Sequence, residues 1–353
     1  VVNISEKYIK RCIELARNGL GSTYPNPMVG SVIVHDGKII GEGWHRKAGE
    51  AHAEVNAINS VKDEKLLQDS TIYVSLEPCS HYGKTPPCSD LIIDKGIKKV
   101  VIGTMDPFAK VAGRGIKKLL DAGCKVKVGV LEEECLELNK RFFTFHKKRR
   151  SYIILKWAQT QDGFIAPQTK AENKPVWITN KYSGILVHKW RSEETAILVG
   201  TKTVLEDNPN LNVRKWNGED PVRLIIDKDL KIPRETSVYN REQKTIIICS
   251  KKPENQNRDN LIFEEIDFSD NIATEICDIL YKHELQSVII EGGSKTTQQF
   301  IDSNLWDEAR IFTGTTRFKT GVKAPLLNGN LENELLIAND NLKIYRNDQG
   351  DNL

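Results

Sequence analysis

Four residues carry the strongest chemical signal: His52 and Glu54, with one residue between them, then Cys79 and Cys88, with eight between. An imidazole and two thiolates are three soft or borderline donors, a set that suits Zn²⁺. A structural zinc site wants a fourth protein ligand. Three leave a position for water, whose pKa the metal lowers from about 16 to about 7, so hydroxide is available at neutral pH. Glu54 can lie beside the metal without ligating it. There it can take a proton from the attacking water and pass it to a ring nitrogen and a leaving amine. Taken singly, either cysteine reads as a buried thiol and His52 as a hydrogen-bonded histidine. In this order, with Glu54 in place, they point to one catalytic zinc per chain and hydrolytic deamination.

The elements that must position these residues follow from periodicity. Residues 5–18 read as an amphipathic helix, capped by Ser5, with Tyr8, Ile9, Cys12, Ile13 and Ala16 on one face and Gly19 as the stop. Residues 29–34 and 38–42 read as strands of a hairpin turning at Asp36-Gly37. A helix over 52–60 opens on His52 and Glu54, a strand over 71–76 leads to Cys79, and a helix over 89–95 follows Cys88. A strand over 99–103, a helix over 116–122 and a strand over 125–130 complete the set. A hairpin followed by βαβ alternation predicts a three-layer α/β sandwich with a mixed sheet. The basic stretch 146–151 reads as a solvated linker, which places the domain boundary between 1–146 and 151–353. Beyond it, strands over 152–157, 196–199, 222–226, 245–249, 287–290, 309–313 and 342–345 alternate with helices over 179–191, 272–283 and 294–303. That is a second α/β domain. It lacks a G-x-G-x-x-G after a strand. Its informative turn is Glu291-Gly292-Gly293-Ser294, where glycines let backbone amides approach a phosphate at a helix start, or simply relieve crowding.

Composition narrows the class. A chain of 353 residues suggests two or three domains, and 39% apolar with 28% charged residues is ordinary for globular proteins. A net charge of +3 on 51 basic and 48 acidic side chains is too balanced for a nucleic-acid surface. No apolar run reaches the ~20 residues of a membrane helix. Glu6, Lys7, Lys10 and Arg11 interrupt any signal-peptide pattern. The chain opens on Val1, which leaves room for a start upstream. Seven scattered cysteines fit a reducing cytosol better than a disulfide framework.

The segment Glu77-Pro78-Cys79-Ser80-His81-Tyr82-Gly83-Lys84-Thr85-Pro86-Pro87-Cys88 resembles the zinc loop of the bacterial bifunctional riboflavin biosynthesis family RibD. Its eight-residue insert replaces the two residues usual in zinc nucleobase deaminases. Pro25-Asn26-Pro27-Met28-Val29-Gly30, Gly43-Trp44-His45 and Ala51-His52-Ala53-Glu54 resemble other motifs of that family. The resemblance implies a cytidine-deaminase-like N-terminal domain that removes the 2-amino group of a 2,5-diamino-6-ribosylamino-pyrimidinone 5′-phosphate and releases ammonia. Asn26, His45 and Lys84 are implied substrate contacts. Phe108 departs from the Asn usual there.

Lys156-Trp157-Ala158-Gln159-Thr160-Gln161-Asp162-Gly163, Trp177-Ile178-Thr179, Val199-Gly200-Thr201-Lys202-Thr203 and Asp207-Asn208-Pro209-Asn210-Leu211 resemble the same family's reductase domain. They imply a dihydrofolate-reductase-like fold that uses NADPH to open the ribosyl group into a ribityl chain. Ala158, Trp177, Thr203, Asp207 and the stretch Gly293, Ser294, Lys295, Thr296, Thr297, Gln298 and Gln299 are implied cofactor contacts. Lys156, Arg191, Leu211, Arg214 and Glu291 are implied substrate contacts, the arginines suiting a phosphate. Thr160-Gln161 replaces the usual Ser-Leu, and 173–176 lack the usual Gly and Ser. The expected whole is a cytoplasmic enzyme with two separate active sites. Its partner is a small phosphorylated pyrimidine, with no nucleic acid and no membrane, and a homo-oligomer is compatible with it. The competing readings are a zinc deaminase with a non-catalytic C-terminal ligand-binding domain, a nucleic-acid-editing deaminase and a zinc-stabilised module.

Overall fold

Strand alternation builds the first sheet. In β1 (Gly30–His35), Val32 and Val34 enter one core layer and Ile33 the opposite one. In β3 (Thr71–Leu76), Tyr73 joins the first layer, and Ile72 and Val74 the second. The computed structural model describes residues 3–80, 82, 86–108, 112–169, 176–254 and 257–347. The chain divides into two units, Val1–Lys148 and Arg149–Leu353.

The first unit runs α1 (Ile4–Ala16), β1, β2 (Lys38–Trp44), α2 (Ala53–Asn59), β3, α3 (Cys88–Asp94), β4 (Lys99–Thr104), α4 (Arg114–Asp121), β5 (Lys125–Lys127), α5 (Glu132–Leu138) and α6 (Lys140–Lys148). Its sheet order is β2-β1-β3-β4-β5. β1 is antiparallel to both neighbours, and β3, β4 and β5 are parallel, so the sheet is mixed as expected. Asp36 (φ 44°) and Gly37 (φ 74°) both sit in the left-handed region that a tight hairpin turn requires. Residues of α1 and α5 cover one face; residues of α2, α3 and α4 cover the other. A Cβ at Gly43 of β2 would lie 2.6 Å from the Ala57 backbone nitrogen, so the glycine lets α2 lie close against the strand.

The second unit runs β6 (Tyr152–Gln159), β7 (Phe164–Pro167), α7 (Lys181–Glu193), β8 (Ala196–Gly200), α8 (Thr201–Asp207), β9 (Val222–Ile226), β10 (Thr245–Cys249), β11 (Leu261–Glu265), α9 (Ile272–Lys282), β12 (Ser287–Ile290), α10 (Ser294–Asp302), β13 (Glu308–Thr313), β14 (Gly321–Lys323), β15 (Asn330–Ile337) and β16 (Asp340–Arg346). Its nine-stranded sheet has the order β11-β10-β9-β8-β12-β6-β13-β16-β15, parallel as far as β13 and antiparallel beyond. β7 and β14 pair separately. The central strands are buried on both faces, which is why Ile153-Ile154-Leu155 and Ile246-Ile247-Ile248 read as continuous apolar runs.

Two readings are corrected. The basic stretch 146–151 is no linker loop: α6 continues through Lys148, and Ser151 is buried with its hydroxyl on the Leu285 carbonyl. Arg150 makes a two-pronged ion pair to Asp307 at 2.6 and 2.8 Å, so the second unit is anchored from Arg150 onward. The strand expected over 125–130 stops at Lys127. Among the described residues, no helix is long and apolar enough to cross a membrane.

Candidate functional site

His52 is the N-cap of α2, extended at φ −71° and ψ 166°. Cys79 follows the end of β3, and Cys88 opens α3. His52 Nδ1 lies 3.5 Å from Cys79 Sγ and 3.3 Å from Cys88 Sγ, and the Cys88 amide donates to Cys79 Sγ at 3.3 Å. A tetrahedral zinc with ordinary Zn–N and Zn–S lengths sets its N and S donors about 3.6 Å apart. Both N···S distances of the triad lie close to that spacing. Its three donor atoms lie within 4.8 Å of one another, and this is the one such metal-competent group among the described residues. A hydrogen bond with Cys88, and a second with His52, hold the Cys79 thiol down at about 4 against burial, so one thiolate stands ready for a cation.

Glu54 lies in the first turn of α2 and is 3% exposed. Burial, aided by the Cys79 charge, pushes its carboxyl up to about 7, where it can both accept and return a proton. A dication beside it works in the opposite direction.

Beside the triad, loops bring together the residues expected to contact substrate. His45 Nε2 receives the Asn26 amide at 3.1 Å, and His45 Nδ1 donates to the Ala51 carbonyl at 3.1 Å. That pair of contacts sets the proton on Nδ1, and burial pushes the imidazole below its usual range. The His45 and His52 rings meet edge to face at 5.4 Å. Asn56 ties the same loop, donating to the Trp44 and Ala51 carbonyls. Lys84 and His81 lie outside the described residues. Phe108 packs against the cluster of Leu76, Phe142 and Phe143, so the departure there serves an apolar cluster.

Three positioning residues were not read from the sequence. The buried Glu77 carboxylate accepts the amides of Asp106, Gly113, Gly115 and Ile116 at 2.9–3.3 Å, binding the zinc loop to the start of α4. A glutamate directly before Pro-Cys at a strand end was the available signal. Asn139 grips both backbone groups of Met28 at 2.8 Å, fixing the Asn26 loop. Burial pushes Asp106 up to about 7 against a hydrogen bond from the Phe108 amide.

In the second unit the predicted residues gather where the parallel strands end, the usual crevice of such sheets. Arg191 of α7 grips Glu291, just past β12, through Nε and Nη2 at 3.0 and 2.7 Å. Lys156 of β6 approaches the same carboxylate at 3.7 Å. Burial opposes the Glu291 charge, but Arg191 and Lys156 outweigh it and hold the carboxyl at about 2. Burial in turn lowers Lys156. Arg214 joins through Asn212, which accepts from Arg191 Nη1 and from Arg214 Nη1. With its Nε–Nη2 edge on Glu291 and Nη1 also donating to Asn212, Arg191 keeps only its remaining Nη hydrogens for a phosphate.

The Thr203 hydroxyl of α8 accepts the Gly293 amide at 3.1 Å, bringing the starts of α8 and α10 together. A Cβ at Gly200 would lie 2.9 Å from Thr296 Oγ1, so glycine is needed at this approach. Ser294 and Lys295 are the first two residues of α10, and Asp207 ends α8. The run Gly293 to Gln299 does not act as one face. Thr297 is buried on the Gly292 carbonyl, Gln298 holds the backbone of Leu326, and Gln299 is exposed. Leu211 is 2% exposed in the core, at φ 56°, so only its backbone could meet a ligand. Ala158 is half-buried in β6, and Trp177 is 67% exposed with Lys215 over its ring at 5.5 Å. The departures at 160–161 are absorbed: Thr160 donates to Asp162, and Gln161 receives Arg317. Residues 173–175 lie outside the described residues.

Residues 2–104 match the cytidine and deoxycytidylate deaminase zinc-binding region, and residues 151–317 match the RibD C-terminal domain. The chain is thus a two-part enzyme, a zinc-binding deaminase unit followed by a reductase unit. Riboflavin biosynthesis protein RibD of Aquifex aeolicus is 42% identical over 313 residues, covering 88% of this chain and 86% of its own. That of Escherichia coli is 34% identical, covering 87% and 86%. The crystal structure of a diaminohydroxyphosphoribosylaminopyrimidine deaminase/5-amino-6-(5-phosphoribosylamino)uracil reductase from Thermotoga maritima is 37% identical, with TM-score 0.88 over 98% of this chain and 99% of that one. Acinetobacter baumannii RibD, form 1, is 31% identical, also at TM-score 0.88, covering 97% and 98%. The chain belongs to the RibD family of riboflavin biosynthesis enzymes.

Proposed function

We propose that this chain deaminates 2,5-diamino-6-(5-phosphoribosylamino)pyrimidin-4(3H)-one. It then reduces the product with NADPH to 5-amino-6-(5-phosphoribitylamino)uracil. The observation that carries the reading is the closed His52–Cys79–Cys88 triad beside a buried Glu54, joined in one chain to the Lys156–Arg191–Glu291 cluster.

One zinc per chain, held by the triad, supplies a Lewis acid and a water acidic enough to attack at neutral pH. Glu54 accepts the proton that the attacking water loses and returns it to the leaving 2-amino group, so water enters and ammonia leaves. His45, with its proton fixed on Nδ1, and Asn26 present polar atoms to the pyrimidine edge. Lys84 adds a cation. In the second unit NADPH supplies the hydride. That hydride would reduce ribosyl C1′ as its bond to the ring oxygen opens, and a proton from solvent would pass to that oxygen. Lys156, fixed beside the ionised Glu291, hydrogen-bonds the sugar oxygens. Thr203 and the Gly293–Thr296 turn offer hydroxyls and amides to the cofactor, as do Ala158, Trp177 and Asp207 at its other parts. The domain limits 1–146 and 151–353, moved to the Lys148/Arg149 division, and a cytoplasmic setting belong to the same proposal.

The test supplies the diamino substrate and follows ammonia release together with NADPH absorbance. Each substrate consumed is expected to yield one ammonia and oxidise one NADPH. Ammonia release with no NADPH oxidation, in a protein folded by circular dichroism, would favour a deaminase carrying a non-catalytic second unit.

A further inference from the structure

Resting on the reading that the second unit binds a phosphorylated substrate, we propose that His188 is a further substrate-binding residue of the reductase. Its Nε2–H donates to the substrate's phosphate beside Arg214. Because Glu291 and Asn212 take three of the five Arg191 N–H groups, a phosphate at this cluster gains from further donors. His188 lies on α7 three residues before Arg191, so the two share one helix face. It is 4% exposed. It lies among Arg191, Arg214, Lys215 and Glu291, whose charges all act on it.

Its Nδ1 accepts the Arg214 amide at 3.1 Å. An imidazole that accepts through Nδ1 carries its proton on Nε2 when neutral. Nε2 has no hydrogen-bond partner among the described residues. Burial, then the charges of Arg191 and Arg214, hold the ring down at about 4. At pH 7 it is therefore a neutral donor. An imidazolium would add a further positive charge to a cluster already crowded with cations; a neutral N–H adds a hydrogen bond without that repulsion. The same ring fixes the backbone of Arg214, so two ligand donors are set by one side chain.

The experiment measures reductase kinetics of the full chain at pH 7 on the deaminated substrate, with and without its 5′-phosphate, and NADPH affinity by fluorescence. His188→Asn keeps an acceptor for the Arg214 amide but loses the Nε2–H. It should raise KM for the phosphorylated substrate about 10- to 100-fold. KM for the dephosphorylated substrate and the NADPH Kd should stay within about twofold. His188→Gln, whose amide N–H reaches the Nε2 position, should recover part of the loss. A His188→Asn enzyme that keeps the wild-type ratio of the two KM values, or that raises both equally, overturns the proposal. A wild-type enzyme that does not distinguish the two substrates overturns the underlying phosphate reading instead.

Discussion

In the first unit, the candidate metal donors and the buried Glu54 carboxyl all come from the short segment His52 to Cys88, carried by one strand end and two helix starts. In the second, Lys156, Arg191, Arg214 and Glu291 arrive from four separate segments and meet only through the sheet. Around the first site, burial raises the Glu54 carboxyl toward neutrality. The second does the reverse, forcing a buried carboxyl to stay ionised with two cations. Burial acts in the same direction on both carboxyls; the neighbours decide the outcome.

Breaking the first side of this contrast has the largest expected effect. Glu54→Gln removes the proton carrier but none of the metal donors. Ammonia release should fall about 10²- to 10⁴-fold, with zinc content unchanged by metal analysis and NADPH oxidation of deaminated substrate intact. Near-normal ammonia release by this variant would remove Glu54 from the mechanism.

The matching test in the second unit is Arg191→Ala. It leaves Glu291 buried with Lys156 as its remaining close cation, so the carboxyl should rise from about 2. Reductase kcat/KM is expected to drop about 10- to 100-fold, since a buried charge loses its hydrogen-bonded partner. Deamination should be untouched, and unchanged reductase kinetics would break the contrast.

The pH dependence of stability sharpens it. Glu291 is held below its ordinary 4.5, so its stabilising effect is complete above that value and is lost as pH falls through about 2. Unfolding of the second unit, followed by urea titration, should therefore lose this contribution only between about pH 4.5 and 2. In Glu291→Gln that component should be missing. A wild-type loss centred near pH 6 would point to a different group.

The smallest effect is at Arg150. Replacing it with alanine removes the two-pronged pair with Asp307 at the start of the second unit. That should cost the reductase about 1–3 kcal/mol in urea unfolding, with no change in ammonia release.

The contrast also explains what could be read from the sequence. Zinc accepts few ligand types, so His52, Cys79, Cys88 and Glu54 announce themselves by identity and order. Most strands of the two sheets were legible because alternation in β1 and apolar runs in β6 and β10 follow directly from one- and two-sided burial, whereas β11 was not read. Short amphipathic pieces were not: α5 and α6 are too brief for a clear period, and β15 is exposed along its length and shows no core pattern. Glu77, Asn139 and His188 escaped because each acts on backbone amides or carbonyls of remote segments, a role that any polar residue type can play. The Arg191–Glu291 pair escaped as a pair: each was singled out, but nothing in a linear chain says that one neutralises the other.

The grip of Asn139 on Met28 has a bearing on how this chain is made. A ribosome releases His52, Cys79 and Cys88 well before residue 139. At roughly 5–20 residues per second, the gap between residues 88 and 139 lasts several seconds. During that interval a nascent chain already owns every donor needed to capture metal, while the loop bearing Asn26 still lacks its clasp. Metal acquisition can thus precede fixing of the Asn26 loop, and the last helices of the first unit serve as the closing step of its synthesis.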